Sequence, residues 1–130
     1  MRFWLGELSL ISCTTRLGVA DLAAQLRFWQ TVAPVLGFRI KPTDEGRFHV
    51  AADAGSFALV ADGRRPTRNL HVAFPVADDA TVAEFHRVAT GAGFRDNGGP
   101  GERPEYHAGY VGAFVLDPDG NNIEAVNHNR

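Results

Sequence analysis

The sequence predicts an α+β fold in which two tandem βαβββ modules form a curved, mixed β-sheet around a cleft, with the helices on the outside. Three observations support this prediction: a segment that occurs twice, an apolar stripe at helical spacing in each copy, and short extended runs after each helix. An internal repeat is strong evidence because each copy must form the same supersecondary unit. We therefore expect one domain over residues 1–130, with module one at about 10–62 and module two at about 68–128.

The repeat consists of two matched pairs of short motifs. Val19-Ala20-Asp21 recurs as Val76-Ala77-Asp78, and Gly37-Phe38-Arg39 recurs as Gly93-Phe94-Arg95. The two offsets are 57 and 56 residues, so a one-residue gap separates them. A position in module two can therefore be compared with its counterpart about 57 residues earlier.

Each copy is predicted to begin with a short strand that leads into a helix. The strands are expected at residues 12–19 and 70–76, and Asp21 and Asp78 are suited to cap the helices that follow. Each helix is expected to stop near a glycine, at Gly37 or Gly93, where a left-handed cap costs little. The first helix has apolar residues at spacings of three and four, which indicates one buried side: Leu22, Leu26, Trp29, Val32 and Leu36.

Three extended runs follow each helix. They are expected at residues 38–41, 47–52 and 56–61 in module one, and at 94–97, 110–116 and 122–127 in module two. Asp117-Pro118-Asp119-Gly120 predicts a hairpin turn, because proline presets one turn position and glycine accepts positive φ. The glycine- and proline-rich segment 97–109 predicts a loop over the mouth of the cleft, from which Tyr106, His107 and Tyr110 could reach a ligand. A solvated loop anchored by its tyrosines is the alternative.

Composition excludes several classes of partner. A formal net charge of -2 gives no basic surface for nucleic acid, so we expect none. No apolar stretch approaches the roughly 20 residues that a membrane helix needs, so we also expect no membrane association. Cys13 is the only cysteine, which rules out an internal disulfide and favours a cytoplasmic location.

Two segments carry a resemblance to a known family. The strand Leu70-His71-Val72-Ala73-Phe74, and the Asp-Pro-Asp-Gly turn that leads to Ile123-Glu124, resemble second-module elements of the vicinal oxygen chelate superfamily. That superfamily includes glyoxalases, bleomycin resistance proteins and extradiol dioxygenases, and the similarity spans almost the whole chain. The resemblance implies a small-molecule substrate or ligand in the cleft and a homodimer.

The resemblance also implies a metal site. In metal-dependent members, a histidine on the first strand of each module and a glutamate on the last strand bind one divalent ion, and His71 and Glu124 match these positions in module two. Module one departs from the pattern. Its counterpart of His71 is Thr14, and its counterpart of Glu124 is Ala58 or a neighbour, so neither position holds the expected metal ligand. Catalytic sites normally have three protein ligands, so we expect one weakly held ion of iron, manganese, nickel or zinc.

Strand alternation predicts which side chains share the cleft. Leu70, Val72 and Phe74 form one apolar face, so His71 projects from the other. Glu124 is predicted as the catalytic residue, because a carboxylate in an apolar strand needs a partner and can serve as a general base. Four residues are predicted to contact the substrate: Thr14, Arg16, His49 and Tyr110.

Arg16 and His49 have specific reasons for that prediction. Arg16 shares a strand face with Thr14, and its guanidinium would suit a carboxylate or phosphate on the ligand, although surface exposure at a sheet edge is equally open. His49 lies between Phe48 and Val50 and is expected to project opposite to them into the cleft, where it could supply a third nitrogen.

Two functions of different classes remain open on the sequence. One is a metal-dependent lyase, isomerase or dioxygenase with a degenerate metal site. The other is a metal-free protein that sequesters a ligand, similar to the antibiotic-binding members of the superfamily. Thr14 and Ala58 favour the second, and the presence of His71 and Glu124 at matching positions favours the first.

Overall fold

The predicted βαβββ repeat is present in the chain. The structure, a computed structural model, describes residues 15–42, 46–53 and 55–130, and the chain divides into two units between Thr67 and Arg68. The first unit contains strand β1 (Arg16–Gly18), helix α1 (Leu22–Leu36) and strands β2 (Arg39–Pro42), β3 (Arg47–Ala52) and β4 (Gly55–Val60). The second contains β5 (His71–Pro75), α2 (Asp79–Gly91), β6 (Arg95–Glu102), β7 (Val111–Leu116) and β8 (Asn122–Asn127).

Each unit has its own four-stranded mixed sheet. The strand order is β1-β4-β3-β2 in the first unit and β5-β8-β7-β6 in the second, so the two sheets share one topology. In each, the strand before the helix pairs in parallel with the last strand, and the remaining pairs are antiparallel. The repeat in the sequence thus corresponds to a repeat in strand connectivity.

One face of each sheet is covered by the helix of the same unit. In the first unit, the rings of Trp29 on α1 and Phe57 on β4 meet edge to face at 5.2 Å. In the second, Val82 and Phe85 on α2 are fully buried, and the apolar residues of β7 and β8 that alternate with Phe114 and Glu124 are buried as well: Ala113, Val115, Ile123 and Ala125. The side chains of Phe114 and Glu124 therefore lie on the sheet face opposite α2.

The aspartate N-caps and the glycine cap of α1 are those that the sequence predicts, whereas the C-cap of α2 is Ala92, followed by the left-handed Gly93. Oδ1 of Asp21 accepts a hydrogen bond from the Ala24 amide at 3.1 Å, and Oδ1 of Asp78 accepts one from the Thr81 amide at 2.8 Å. Helix α1 ends at Gly37, whose φ of 87° is left-handed. The capping carboxylates satisfy amides that have no partner within the helix.

The predicted hairpin turn is also present. The Gly120 amide donates to the Asp117 carbonyl at 2.9 Å, and Gly120 has a φ of 87°. Oδ1 of the buried Asp117 accepts from the amides of Asp119 and Asn121, which closes the turn. This turn sets the register in which β7 and β8 pair, and so places Glu124 opposite Phe114.

The prediction of a loop over residues 97–109 is wrong for its first half. Strand β6 continues to Glu102 and pairs with β7, with register shifts between Asp96 and Gly98 and between Gly98 and Gly101. Glycine and proline have low strand propensity, but pairing with β7 and two irregularities in the ladder accommodate them. Neither described helix is long and apolar enough to cross a membrane.

Candidate functional site

His71 and Glu124 form a hydrogen-bonded pair on the face of the second sheet that α2 does not cover. Strands β5 and β8 are parallel neighbours with Ala73 opposite Glu124, so His71, two residues earlier, projects from the same face. Nε2 of His71 lies 2.7 Å from Oε1 of Glu124. Glu124 is fully buried, whereas the His71 side chain is 47% exposed. The pair therefore connects a buried carboxylate to an imidazole that solvent can reach.

Tyr110 supplies the second partner of the carboxylate. It directly precedes β7, and its hydroxyl lies 2.5 Å from Oε2 of Glu124. Burial, and then the contact with the Glu124 carboxylate, raise the pKa of Tyr110 well above its usual range, so the phenol stays protonated and donates. Both oxygens of Glu124 thus have a partner, as a buried carboxylate requires. We call His71, Glu124 and Tyr110 the carboxylate cluster.

Gly112 makes room for the carboxylate cluster. It lies on β7 between Tyr110 and Phe114, on the same face as both. A methyl group at Gly112 would stand 2.8 Å from Oε2 of Glu124 and 3.3 Å from the Tyr110 ring. The sequence analysis did not identify this residue, although an isolated glycine inside a strand often marks a close approach by another group.

Two more histidines lie beside Tyr110. Nε2 of His107 is 3.0 Å from Nδ1 of His128, and both imidazole rings contact the Tyr110 ring edge to face. Nδ1 of His107 lies 2.9 Å from the Ala108 carbonyl, which only accepts, so this nitrogen carries hydrogen. Burial is the first cause that lowers the pKa of His128, and the nearby charge of Arg130 is the second.

The described donors do not complete a metal site. His71 and Glu124 offer one nitrogen and one carboxylate, but the described residues contain no group of three His, Cys, Asp or Glu side chains placed to hold an ion. Catalytic metal sites in proteins usually have three protein ligands and one open position. The two predicted metal ligands are therefore adjacent, and the part of the chain that the structure describes brings no third donor of these types to them.

The predicted residues of the first unit lie on one row of its sheet. Arg16 pairs with Ala58, Ala58 with His49, and His49 with Lys41, so these four side chains share a face. Adding the repeat offset of 57 to Arg16 gives Ala73, which pairs with Glu124, so Ala58 is the counterpart of Glu124. The row of the first sheet that corresponds, through the repeat, to the row of Glu124 thus carries three basic residues. Thr14 lies outside the described residues.

One family model matches most of the chain. The model of the glyoxalase/bleomycin resistance protein/dioxygenase superfamily matches residues 11–125. No curated protein matches the sequence.

Solved structures with the same fold include three from bacteria. A glyoxalase/bleomycin resistance protein from Albidiferax ferrireducens is 24% identical, with a TM-score of 0.73 over 87% of this chain and 94% of that one. A family enzyme from Burkholderia phytofirmans is 20% identical, with a TM-score of 0.70 over 87% and 94%. A lactoylglutathione lyase from Agrobacterium tumefaciens is 18% identical, with a TM-score of 0.65 over 87% and 90%. With the family model covering nearly the full length, this chain belongs to the glyoxalase/bleomycin resistance protein/dioxygenase superfamily.

Proposed function

We propose that the protein binds a small organic molecule on the sheet face that carries the carboxylate cluster, and that His71 transfers a proton to or from it. The observation that supports this proposal is that the two partners of one hydrogen bond differ in their exposure to solvent. Glu124 is fully buried with both oxygens engaged, while its partner His71 is half-exposed on the same face. A ligand that approaches this face meets the imidazole before the carboxylate.

The hydrogen-bond pattern gives each residue a role. An ionised carboxylate only accepts hydrogen bonds, so Nε2 of His71 carries the hydrogen toward Glu124 and Nδ1 is the basic nitrogen. Glu124 then acts as a positioning residue that fixes the ring and its tautomer, as the carboxylate of a catalytic triad does. Tyr110 holds the carboxylate from the other side. A well-placed general acid or base contributes a rate factor of about 10² to 10⁴.

This proposal changes the role that the sequence suggested for Glu124. There the carboxylate was the expected general base, whereas its burial now favours His71 as the group that touches the ligand. Tyr110, expected to bind substrate, acts in this proposal through Glu124. The expectations of a homodimer and of a cytoplasmic location stay predictions that rest on the family resemblance and the cysteine content.

A second candidate is a metal-dependent lyase, isomerase or dioxygenase. It is favoured by one observation: an imidazole nitrogen and a carboxylate oxygen lie 2.7 Å apart at the two positions that match the metal ligands of the superfamily. With two described donors, a divalent ion would be held weakly and lost on dialysis. Elemental analysis before and after chelation, on wild type and His71→Ala, tests this candidate. One ion per chain before dialysis, lost on chelation and absent from the variant, would replace our proposal with a metal enzyme.

Hydrogen exchange with solvent tests the proposed proton transfer. Chelator-treated protein is incubated in D₂O with a panel of small ketones, diols and thiol adducts, and deuterium incorporation is followed by mass spectrometry. We expect at least one compound to gain deuterium with wild type and not with His71→Gln. His86→Gln is the matched control, because His86 pairs with Asp96 away from the carboxylate cluster.

Each other outcome identifies a different function. Exchange that requires added iron, manganese, nickel or zinc would point to the metal enzyme. A compound that binds but is recovered unchanged under every condition would point to metal-free sequestration of the antibiotic-binding kind. Equal exchange with wild type and His71→Gln would remove His71 from the mechanism.

A further inference from the structure

Arg103 lies on the same sheet face as the carboxylate cluster. Its guanidinium carbon is 5.2 Å from the centre of the Phe114 ring, and Phe114 is paired with Glu124 across β7 and β8. The centres of the Phe114 and His71 rings are 6.0 Å apart. One aromatic ring therefore separates the positive charge of Arg103 from the imidazole of His71.

The position of Arg103 is held by contacts at both its backbone and its side chain. Its amide donates to the Tyr110 carbonyl at 2.7 Å, which links it to the residue that contacts Glu124. Nη2 donates to the Gly99 carbonyl at 2.8 Å, and the guanidinium stacks on Phe114. A side chain held in this way loses little additional freedom when it binds a ligand.

The glycines of β6 provide the space that the guanidinium occupies. A methyl group at Gly101 would stand 3.0 Å from Nη1 of Arg103, and one at Gly98 would stand 3.3 Å from Nη2 and 2.9 Å from the Phe114 ring. The low side-chain volume of this strand, which made it look like a loop in the sequence, thus lets Arg103 lie across it. Side chains at these two positions would push the guanidinium away from Phe114.

Arg103 keeps donors for a ligand. A guanidinium has five N–H donors, and hydrogen bonds to the carbonyls of Gly99 and Glu102 use two of them. Arg64 forms an ion pair with Asp62, and Arg87 forms one with Glu84. Arg103 forms no ion pair with any residue that the structure describes. Within the described residues, its guanidinium contacts backbone carbonyl oxygens and the face of an aromatic ring.

From this placement we infer that Arg103 binds an oxyanion of the ligand, a carboxylate or a phosphate, and holds the ligand beside His71. This inference rests on the proposed function and narrows its substrate to anionic molecules. Arginine is suited to the task because its planar fork matches a carboxylate or phosphate with two hydrogen bonds. The Phe114 ring between the two polar groups offers an apolar surface for the body of the ligand.

The inference is tested by an NMR titration with ring compounds that differ in charge. ¹⁵N-labelled protein is titrated with benzoate, with phenyl phosphate and with the neutral benzamide, while the Nε–H signal of Arg103 and the Gly99 and Gly101 amides are observed. We expect saturable shifts with benzoate or phenyl phosphate, and about tenfold weaker binding of that probe to Arg103→Gln. The control is Arg87→Gln, which removes the same charge from the exposed face of α2 and should bind like wild type.

The outcomes separate this inference from the proposed function. If benzamide shifts His71 and Tyr110 with the same affinity as the anions, the face binds ligands but Arg103 does not select their charge, and the inference fails alone. Anion binding that Arg103→Gln leaves unchanged, or the absence of any shift at Arg103, would also overturn it. Should Arg103→Gln misfold, Arg103→Lys keeps the charge without the fork, and we expect it to bind the anion more weakly than wild type.

Discussion

Gly112 and Glu124 lie on adjacent strands in such close approach that a methyl group at Gly112 would be 2.8 Å from Oε2 of Glu124. The Tyr110 hydroxyl donates a hydrogen bond to the same oxygen. The carboxylate is thus enclosed by the backbone of one strand and the side chain of a preceding residue. This relationship explains how a fully buried glutamate is accommodated between the apolar residues Ile123 and Ala125 of β8.

Replacement of Gly112 by alanine is expected to destabilise the protein. The added methyl group would displace the carboxylate from Tyr110, and overpacking of this kind costs about 1–3 kcal/mol in the free energy of unfolding. Urea denaturation measures the change. Gly99→Ala is the matched control, because a methyl group there meets no atom within 4 Å. Equal stability of the two variants would mean that Gly112 is not required for the packing of Glu124.

The Tyr110 phenol is expected to make stability fall in alkali. Its folded pKa is raised above the ordinary value of 10.0, first by burial and then by Glu124. The stabilisation is therefore complete below about pH 10 and is lost as the pH rises above it, because the unfolded phenol ionises first.

Urea denaturation at pH 9 and pH 11 tests this dependence on Tyr110. We expect the wild type to lose more stability between these values than Tyr110→Phe does. Tyr106→Phe, which alters an exposed tyrosine, should retain the wild-type loss. Parallel losses in wild type and Tyr110→Phe would contradict the assignment of this hydrogen bond.

Much of the fold could be predicted from the sequence because its signals are local. The aspartate caps, the left-handed Gly37 and the Asp117 to Gly120 turn each depend on a few adjacent residues. Strand β6 was missed in its second half because its glycines and proline have low strand propensity, and its formation depends on pairing with β7.

The candidate site could be predicted only in part. The adjacency of His71 and Glu124 was implied by the family resemblance, and strand alternation predicted the face from which His71 projects. The contact of Arg103 with Phe114 depends on two register shifts in β6, and alternation along one strand does not reveal them. The Tyr110 hydroxyl was expected at a ligand, but its contact with Glu124 depends on the space beside Gly112.

Glu124→Gln is expected to reduce catalysis more than stability. Glutamine has nearly the same volume, and its amide can donate to Nε2 of His71 while its oxygen still accepts from Tyr110. His71 would then carry its hydrogen on Nδ1 and could no longer accept a proton there. In a catalytic triad, this wrong tautomer lowers kcat by about 10⁴.

The deuterium-exchange assay measures the effect of Glu124→Gln, with circular dichroism as the check on folding. We expect exchange to fall by a factor of 10² or more in a folded variant, within the usual range for loss of a general base. A folded Glu124→Gln protein with wild-type exchange would show that the His71 tautomer is not important for the reaction.

The most direct test is the protonation state of the two His71 ring nitrogens. Long-range ¹H–¹⁵N NMR on chelator-treated protein at neutral pH identifies which nitrogen carries hydrogen, and the spectrum is repeated after one equivalent of zinc is added. Our account predicts hydrogen on Nε2, facing Glu124, a bare Nδ1, and no change with zinc. Hydrogen on Nδ1, or a bare Nε2 whose signal shifts when zinc binds, would contradict the proposed acid–base role and favour a metal centre.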